Sequence, residues 1–227
     1  MALKFKTPWI VMSLILCCNM VIKGQNDPNI SKNEIINLYN QSQDLLSKGN
    51  FDEALKLKSE AYYKSKELPE LNIIGGLCAF DIAQMKSDIY KDLKSYINWL
   101  ERADECEFPG AAGLLGDAYL TGQDGVPQDF QKAKFYYEKS DEGRCLWILA
   151  TMYGPNGELG RNDSEWLKYT SKAVEKGDAD AQFMLGLCYL DGKFVSKNNN
   201  KGVELIKMAA QQNHIKAIRF LESENIK

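Results

Sequence analysis

Chemistry in this chain would have to come from few residues. It contains one histidine, His214, and histidine is the usual general acid or base near neutral pH. Its six cysteines, Cys17, Cys18, Cys78, Cys106, Cys145 and Cys188, are the side chains that would act as nucleophiles or soft metal ligands. No histidine or cysteine group has the spacing of a metal site. Asp124, Asp129, Glu158 and Asp163 are the acids that would have to gather around calcium, yet they lack the spacing of a calcium loop and read as loop residues and helix caps. Gly75-Gly76 and Gly122 to Gly125 do not follow a strand, as a phosphate-cradling loop does. His214 reads as a solvent-facing residue at a helix boundary. The pattern is that of a non-enzyme without cofactor or metal.

The remaining candidates are recognition residues, and they are visible only against a repeat. Leu115-Gly116, Tyr119, Asp129 and Gly143 answer to Leu149-Ala150, Tyr153, Asp163 and Gly177, and to Leu185-Gly186, Tyr189, Asn199 and Asn213, with the same steps inside each copy. A period in the mid-thirties that keeps small and aromatic residues in register predicts stacked helical hairpins, since each unit must bury its apolar face on its neighbours. Two places after the small residues Ala111, Cys145 and Ala181 stand Gly113, Trp147 and Phe183, and one turn later Asp117, Thr151 and Leu187. Four-residue spacing puts each pair on one helix face, and stacking turns the pairs into a stripe. Trp147 and Phe183 are the expected contact anchors, because large aromatics dominate interface energetics, with Asp117, Thr151 and Leu187 beside them. The alternative for both aromatics is packing between repeats. Trp99 and Trp166 fall on second helices and read as core or outer surface.

Each element has a local cause. Ile35, Leu38, Tyr39 and Leu45, then Phe51, Ala54, Leu55, Ala61 and Tyr62, recur at helical spacing, and Gly49-Asn50 divides them into two helices. Leu68-Pro69 punctuates the chain before a degenerate pair, Leu71 to Met85 and Ile89 to Cys106. Glu107 to Gly110 then turns into the clear copies. There the Leu-Gly pair sets a large side chain beside a glycine that admits a close partner helix, and Gly122 to Pro127, Gly154 to Gly157 and Asp191 to Lys193 are turns. Asp129, Asp163 and Asn199 are expected to cap the second helices. The approximate units are 34–66, 71–106, 111–143, 145–177 and 181–213, with a cap at 214–227, all in one helical-repeat domain over 34–227. Cys145 and Cys188 fall on buried repeat positions, and the four cysteines after residue 24 read as free thiols rather than bridges.

The residues Ala111, Leu115-Gly116, Tyr119, Gly122, Gly125-Val126, Asp129, Lys132-Ala133, Tyr136-Tyr137 and Gly143 resemble the Sel-like repeat family, a short relative of tetratricopeptide repeats. Ala181, Leu185-Gly186, Tyr189, Gly192 and Ala209-Ala210 extend the resemblance. Lys48 to Leu55 is similar to a tetratricopeptide turn. The middle copy departs at Cys145, Ala150 and the loop Gly154 to Gly157, and the third at Asn199 and Gly202-Val203. The resemblance implies an all-α, right-handed superhelical solenoid of about five antiparallel helical hairpins, whose concave side, lined by first helices, binds a protein or peptide. Exported members of the family include scaffolds, repeat proteins linked to β-lactam binding, and immunity proteins against secreted toxins such as phospholipase effectors. The alternatives to a plain adaptor are an immunity protein that neutralises such a toxin and, from another class, an envelope hydrolase or β-lactam-binding repeat protein.

Met1 to Gly24 reads as a signal peptide, with Lys4 and Lys6 ahead of an apolar core from Trp9 to Cys18. That core is shorter than the roughly 20 apolar residues of a bilayer span. Residues 25–33 follow as a polar linker. The expected location is the periplasm or the exterior of a bacterial cell, with membrane attachment only if Cys17 or Cys18 is lipidated. A net charge of −3 lacks the basic stripe of a nucleic-acid-binding protein.

Overall fold

The computed structural model describes residues 29–122, 126–224 and 226. The expected signal segment, its two cysteines and the start of the linker lie outside them. Among the described residues eleven α-helices follow one another: α1 (Asn29–Ser47), α2 (Phe51–Ser65), α3 (Asn72–Asp88), α4 (Leu93–Glu105), α5 (Ala111–Thr121), α6 (Phe130–Ser140), α7 (Gly143–Met152), α8 (Asp163–Glu175), α9 (Ala179–Asp191), α10 (Asn199–Gln211) and α11 (Ile215–Ser223). The only other helical element among the described residues is a 3-10 turn at Pro69–Leu71. Helices pair in chain order as α1/α2, α3/α4, α5/α6, α7/α8 and α9/α10, and each second helix also packs on the first helix of the next pair. The chain is an all-helical solenoid of five hairpins closed by α11.

Backbone sign changes mark the units. Glu107, Asp141, Gly177 and Asn213 all take positive φ, between +52° and +83°. Each follows a second helix, where a left-handed residue ends the helix and turns the chain. Glu107, Asp141 and Gly177 precede Gly116, Ala150 and Gly186 by the same nine residues.

This corrects the register expected from equal spacing. Gly177 and Asn213 are the turning residues of their units, but Gly143 opens α7, and the turning residue of the first clear unit is Asp141. The cause is length, because α6 has 11 residues where α8 and α10 have 13. The caps shift accordingly. Asp129 Oδ1 accepts from Gln131 N and Lys132 N at 3.0 Å, as expected. In the other two units the cap is one residue earlier, with Asn162 Oδ1 accepting from Glu165 N at 3.1 Å and Asn198 Oδ1 from Lys201 N at 3.0 Å. Asp163 is the first helical residue instead and holds Arg161 at 2.9 Å.

Small residues set the helix spacing. A Cβ on Gly116 would stand 2.5 Å from the ring of Tyr137, and one on Gly186 would stand 2.7 Å from Ile206 Cγ1 and 2.9 Å from the Gly202 carbonyl oxygen. Tyr137 and Ile206 both lie eight residues after their caps. The same place in the middle unit is Thr170, and the small residue there is Ala150, so a methyl on one helix is matched by a smaller side chain on the other. Thr170 is fully buried and its hydroxyl has no hydrogen-bond partner. An unmet buried hydroxyl costs about 1 kcal/mol or more, so Thr170→Val is expected to raise stability by roughly that amount. Urea unfolding of the two proteins checks it, and an unchanged or lower midpoint would contradict it.

The core runs through the stack as three groups. The largest joins Leu100, Leu115, Tyr137, Leu146, Leu149, Tyr169 and Leu185, a second gathers Ile35, Tyr39, Tyr62 and Cys78 at the first hairpins, and a third holds Ile206, Ala209 and Ala217 under α11. Cys78, Cys106, Cys145 and Cys188 are buried free thiols.

Candidate functional site: the first-helix face

The first helices turn one stripe to solvent because the other faces are occupied by packing. On α5 the residues outside the core include Leu114 and Asp117, on α7 Arg144, Trp147, Ile148 and Thr151, and on α9 Asp180, Phe183, Met184 and Leu187. Leu114, Ile148, Met184 and Phe220 occupy the same register place on α5, α7, α9 and α11: each directly precedes a leucine, the buried Leu115, Leu149 and Leu185 or the partly buried Leu221. They form an apolar row, of which Met184 is the most open at 37% exposure.

Polar groups tie neighbouring units along this row. Asp117 accepts from the Tyr137 hydroxyl at 2.8 Å and from both Arg144 terminal nitrogens at 3.3 and 2.9 Å. The carboxylate holds the Arg144 guanidinium above its ordinary value, and burial together with Asp117 pushes the Tyr137 hydroxyl up. At the far end His214 caps α11, with Nδ1 accepting from Ala217 N at 3.1 Å. That bond requires a lone pair on Nδ1, so Nε2 carries the proton and donates to Asp180 at 3.1 Å. The side chain is 11% exposed and its ring lies 4.9 Å from Phe183. His214 is thus at a helix boundary, as expected, but covered rather than solvent-facing, because capping and ring packing use both of its sides.

The five expected contact residues share one face but not one environment. Asp117 is a bridge between α5 and α7. Phe183 and Leu187 pack into the group under α11, with Phe183 6.5 Å from Phe220. Thr151 is exposed and returns its hydroxyl to the Ile148 carbonyl at 2.6 Å. Trp147 is half-buried against the main core and makes no hydrogen bond to any described residue, which leaves the indole N–H for another molecule. Sequence reasoning passed over Leu114, Ile148 and Met184, although their position before each core leucine was readable.

It also missed a charged cluster at the first hairpins. The Lys58 side chain on α2 is fully buried, 2.5 Å from Asp81 of α3 and 4.5 Å from the centre of the Tyr39 ring on α1. Gln43 donates to Asp81 at 3.0 Å and to the Tyr39 hydroxyl at 2.6 Å. The available signal was a lysine four residues after Ala54, in the middle of the buried stripe of α2.

The acid–base inventory is consistent with recognition. Burial pushes the Cys78 thiol up to about 12 and raises those of Cys106, Cys145 and Cys188, so none is a ready thiolate nucleophile. Among the described residues no three His, Cys, Asp or Glu side chains gather as a metal site, and no helix is long and apolar enough to cross a membrane.

Residues 109–140 and 179–214 match the Sel1 repeat. They cover α5/α6 and α9/α10, and the unmatched unit between them is the one with Ala150 opposite Thr170. A stretch of 123 residues, 51% of the chain, is 30% identical to the chitin synthase regulator of Saccharomyces cerevisiae. It covers only 17% of that protein's length. Among solved structures, a Sel1 repeat protein from Oxalobacter formigenes superposes with a TM-score of 0.65 at 22% identity, over 85% of this chain and 79% of the other. A protective antigen present in uropathogenic Escherichia coli strains, which displays an SLR fold, superposes with a TM-score of 0.58 at 25% identity, over 76% of this chain and 36% of the other.

Proposed function

For this chain, a Sel1-repeat helical solenoid, we propose that the first-helix face binds a protein partner and that the molecule works as an adaptor. The observation that carries the reading is the apolar row Leu114, Ile148, Met184 and Phe220, flanked by Trp147 with an unused indole N–H. Apolar side chains in a row, bordered by charges already engaged within the protein, form a surface that gains by excluding water. The yeast relative is by name a regulator of an enzyme, which agrees with a protein that acts on another protein.

The finer reading places the adaptor outside the cytoplasm of a bacterial cell, on the strength of the basic head and apolar core between Met1 and Cys18. Mass spectrometry of the protein from its own cells tests this. A mature chain starting at Gln25 supports export with cleavage, and an intact Met1 in the cytoplasm overturns it.

The binding reading is tested on a partner recovered by crosslinking and affinity capture, followed by titration with purified variants. Trp147→Ala and Met184→Lys are each expected to weaken binding at least tenfold, about 1.4 kcal/mol, with helicity unchanged. If both bind as tightly as the parent, the partner sits elsewhere and the reading fails. Loss of helicity in Trp147→Ala would assign that ring to packing, and Met184→Lys then decides alone.

A further inference from the structure

An arginine set among three aromatic rings lies on the second helices α2 and α4. The Arg102 guanidinium on α4 sits 4.3 Å from the centre of the Trp99 ring and 5.8 Å from those of Tyr62 and Tyr63 on α2. The rings stand edge to face, with Tyr62 5.2 Å from both Tyr63 and Trp99. Arg102 Nη1 donates to the Tyr63 hydroxyl at 2.9 Å.

This arrangement holds a cation without neutralising it. Arginine carries five N–H donors in the guanidinium plane, and stacking engages the face of that plane, not its edge. Only the Tyr63 hydroxyl takes up a donor, and no carboxylate among the described residues pairs with Arg102. Two other arginines differ. Arg144 and Arg161 engage Asp117 and Asp163, and Lys66 beside the cluster engages Glu105 at 3.5 Å.

We propose that Arg102, walled by Tyr63 and Trp99, is a docking point for a carboxylate side chain of a protein partner. The fork geometry of a guanidinium matches a carboxylate with two parallel hydrogen bonds. Tyr63 is 55% exposed and supplies an apolar wall for the residue that bears the acid. A phosphate dianion fits less well, because the site offers a single free guanidinium, and Glu101 and Glu105 flank it on α4. Arg, Trp and Tyr are also the side chains that carry most binding energy at protein interfaces. The proposal stands apart from the first-helix reading and uses none of its residues.

The test titrates the nitrogen-labelled full chain with phenylacetate, a carboxylate with a ring attached, and follows the Arg102 Nε and Trp99 indole signals by nuclear magnetic resonance. Inorganic phosphate at matched ionic strength is the comparison. The expected result is a saturable shift of both signals with affinity of about millimolar order, weakened at least fivefold in Arg102→Lys, which keeps the charge and loses the fork. Tyr63→Ala should weaken it similarly, and its exposed ring makes it the variant that reports if Arg102→Lys fails to fold. An absent or unsaturable shift, equal affinity in the folded variants, or equal saturation by phosphate would each overturn the proposal.

Discussion

Gly116→Leu is expected to destabilise the third hairpin by about 3 kcal/mol or more, which lowers the melting temperature by roughly 10 °C in a chain of this size. Already a Cβ at this position would lie 2.5 Å from the Tyr137 ring. That ring is fully buried and its hydroxyl is held by Asp117, so it cannot swing aside cheaply. The remaining atoms of a leucine would push α5 and α6 apart. The molecule itself shows the remedy, because Ala150 occupies the same place opposite the smaller Thr170. Gly116→Ala combined with Tyr137→Val is therefore expected to be more stable than Gly116→Ala alone. Thermal and urea unfolding of the four proteins forms a coupling cycle. Additive effects, or an unchanged melting temperature in Gly116→Leu, would show that α5 and α6 do not meet at this glycine.

Asp81→Ala is the second large effect, at about 3 kcal/mol of lost stability. The Lys58 side chain has no exposure to water, and Asp81 supplies its opposite charge. Without the carboxylate, the ammonium is left with the Tyr39 ring at 4.5 Å, and attraction to a ring does not replace hydration. Removing both charges is a different matter. Lys58→Met with Asp81→Leu fills similar space without a buried ion, and such replacements are often neutral or stabilising. The double variant is therefore expected to unfold within about 1 kcal/mol of the parent or later. Denaturant unfolding followed by circular dichroism separates the cases, and a single variant as stable as the parent would mean that Lys58 reaches water in solution.

The architecture was legible because close helix packing leaves a chemical trace at fixed places. Gly116, Ala150 and Gly186 beside large leucines announce where helices touch, and Gly49-Asn50 announces a turn that the Gly49 φ of +79° realises. The internal register was less legible. Asp129, Asp163 and Asn199 fell at matching steps, yet α6 lacks part of its last turn and α8 and α10 are capped from one residue earlier. Equal spacing in a sequence cannot reveal that a difference inside one helix has been offset by a shift at its start. Lys58 escaped notice because a lysine normally marks a solvent face, and only the three-dimensional meeting of α1, α2 and α3 shows its partner. The first-helix face was legible as a face but not as a site. Core positions are dictated by neighbours within the chain, whereas nothing within the chain dictates the outward side of Trp147 and Met184.

The left-handed residues Glu107, Asp141 and Gly177 carry a consequence for how such a molecule can grow. Each lies nine residues before the small residue of the following unit, while the helix before it varies in length. Variation is thus confined between a cap and a turn, and every junction presents the same geometry to whatever follows. These three positions are natural seams for recombination. A segment copied from one seam to the next arrives with both mating surfaces intact, so the number of units, and with it the reach of the first-helix face, can change without redesign of any interior contact.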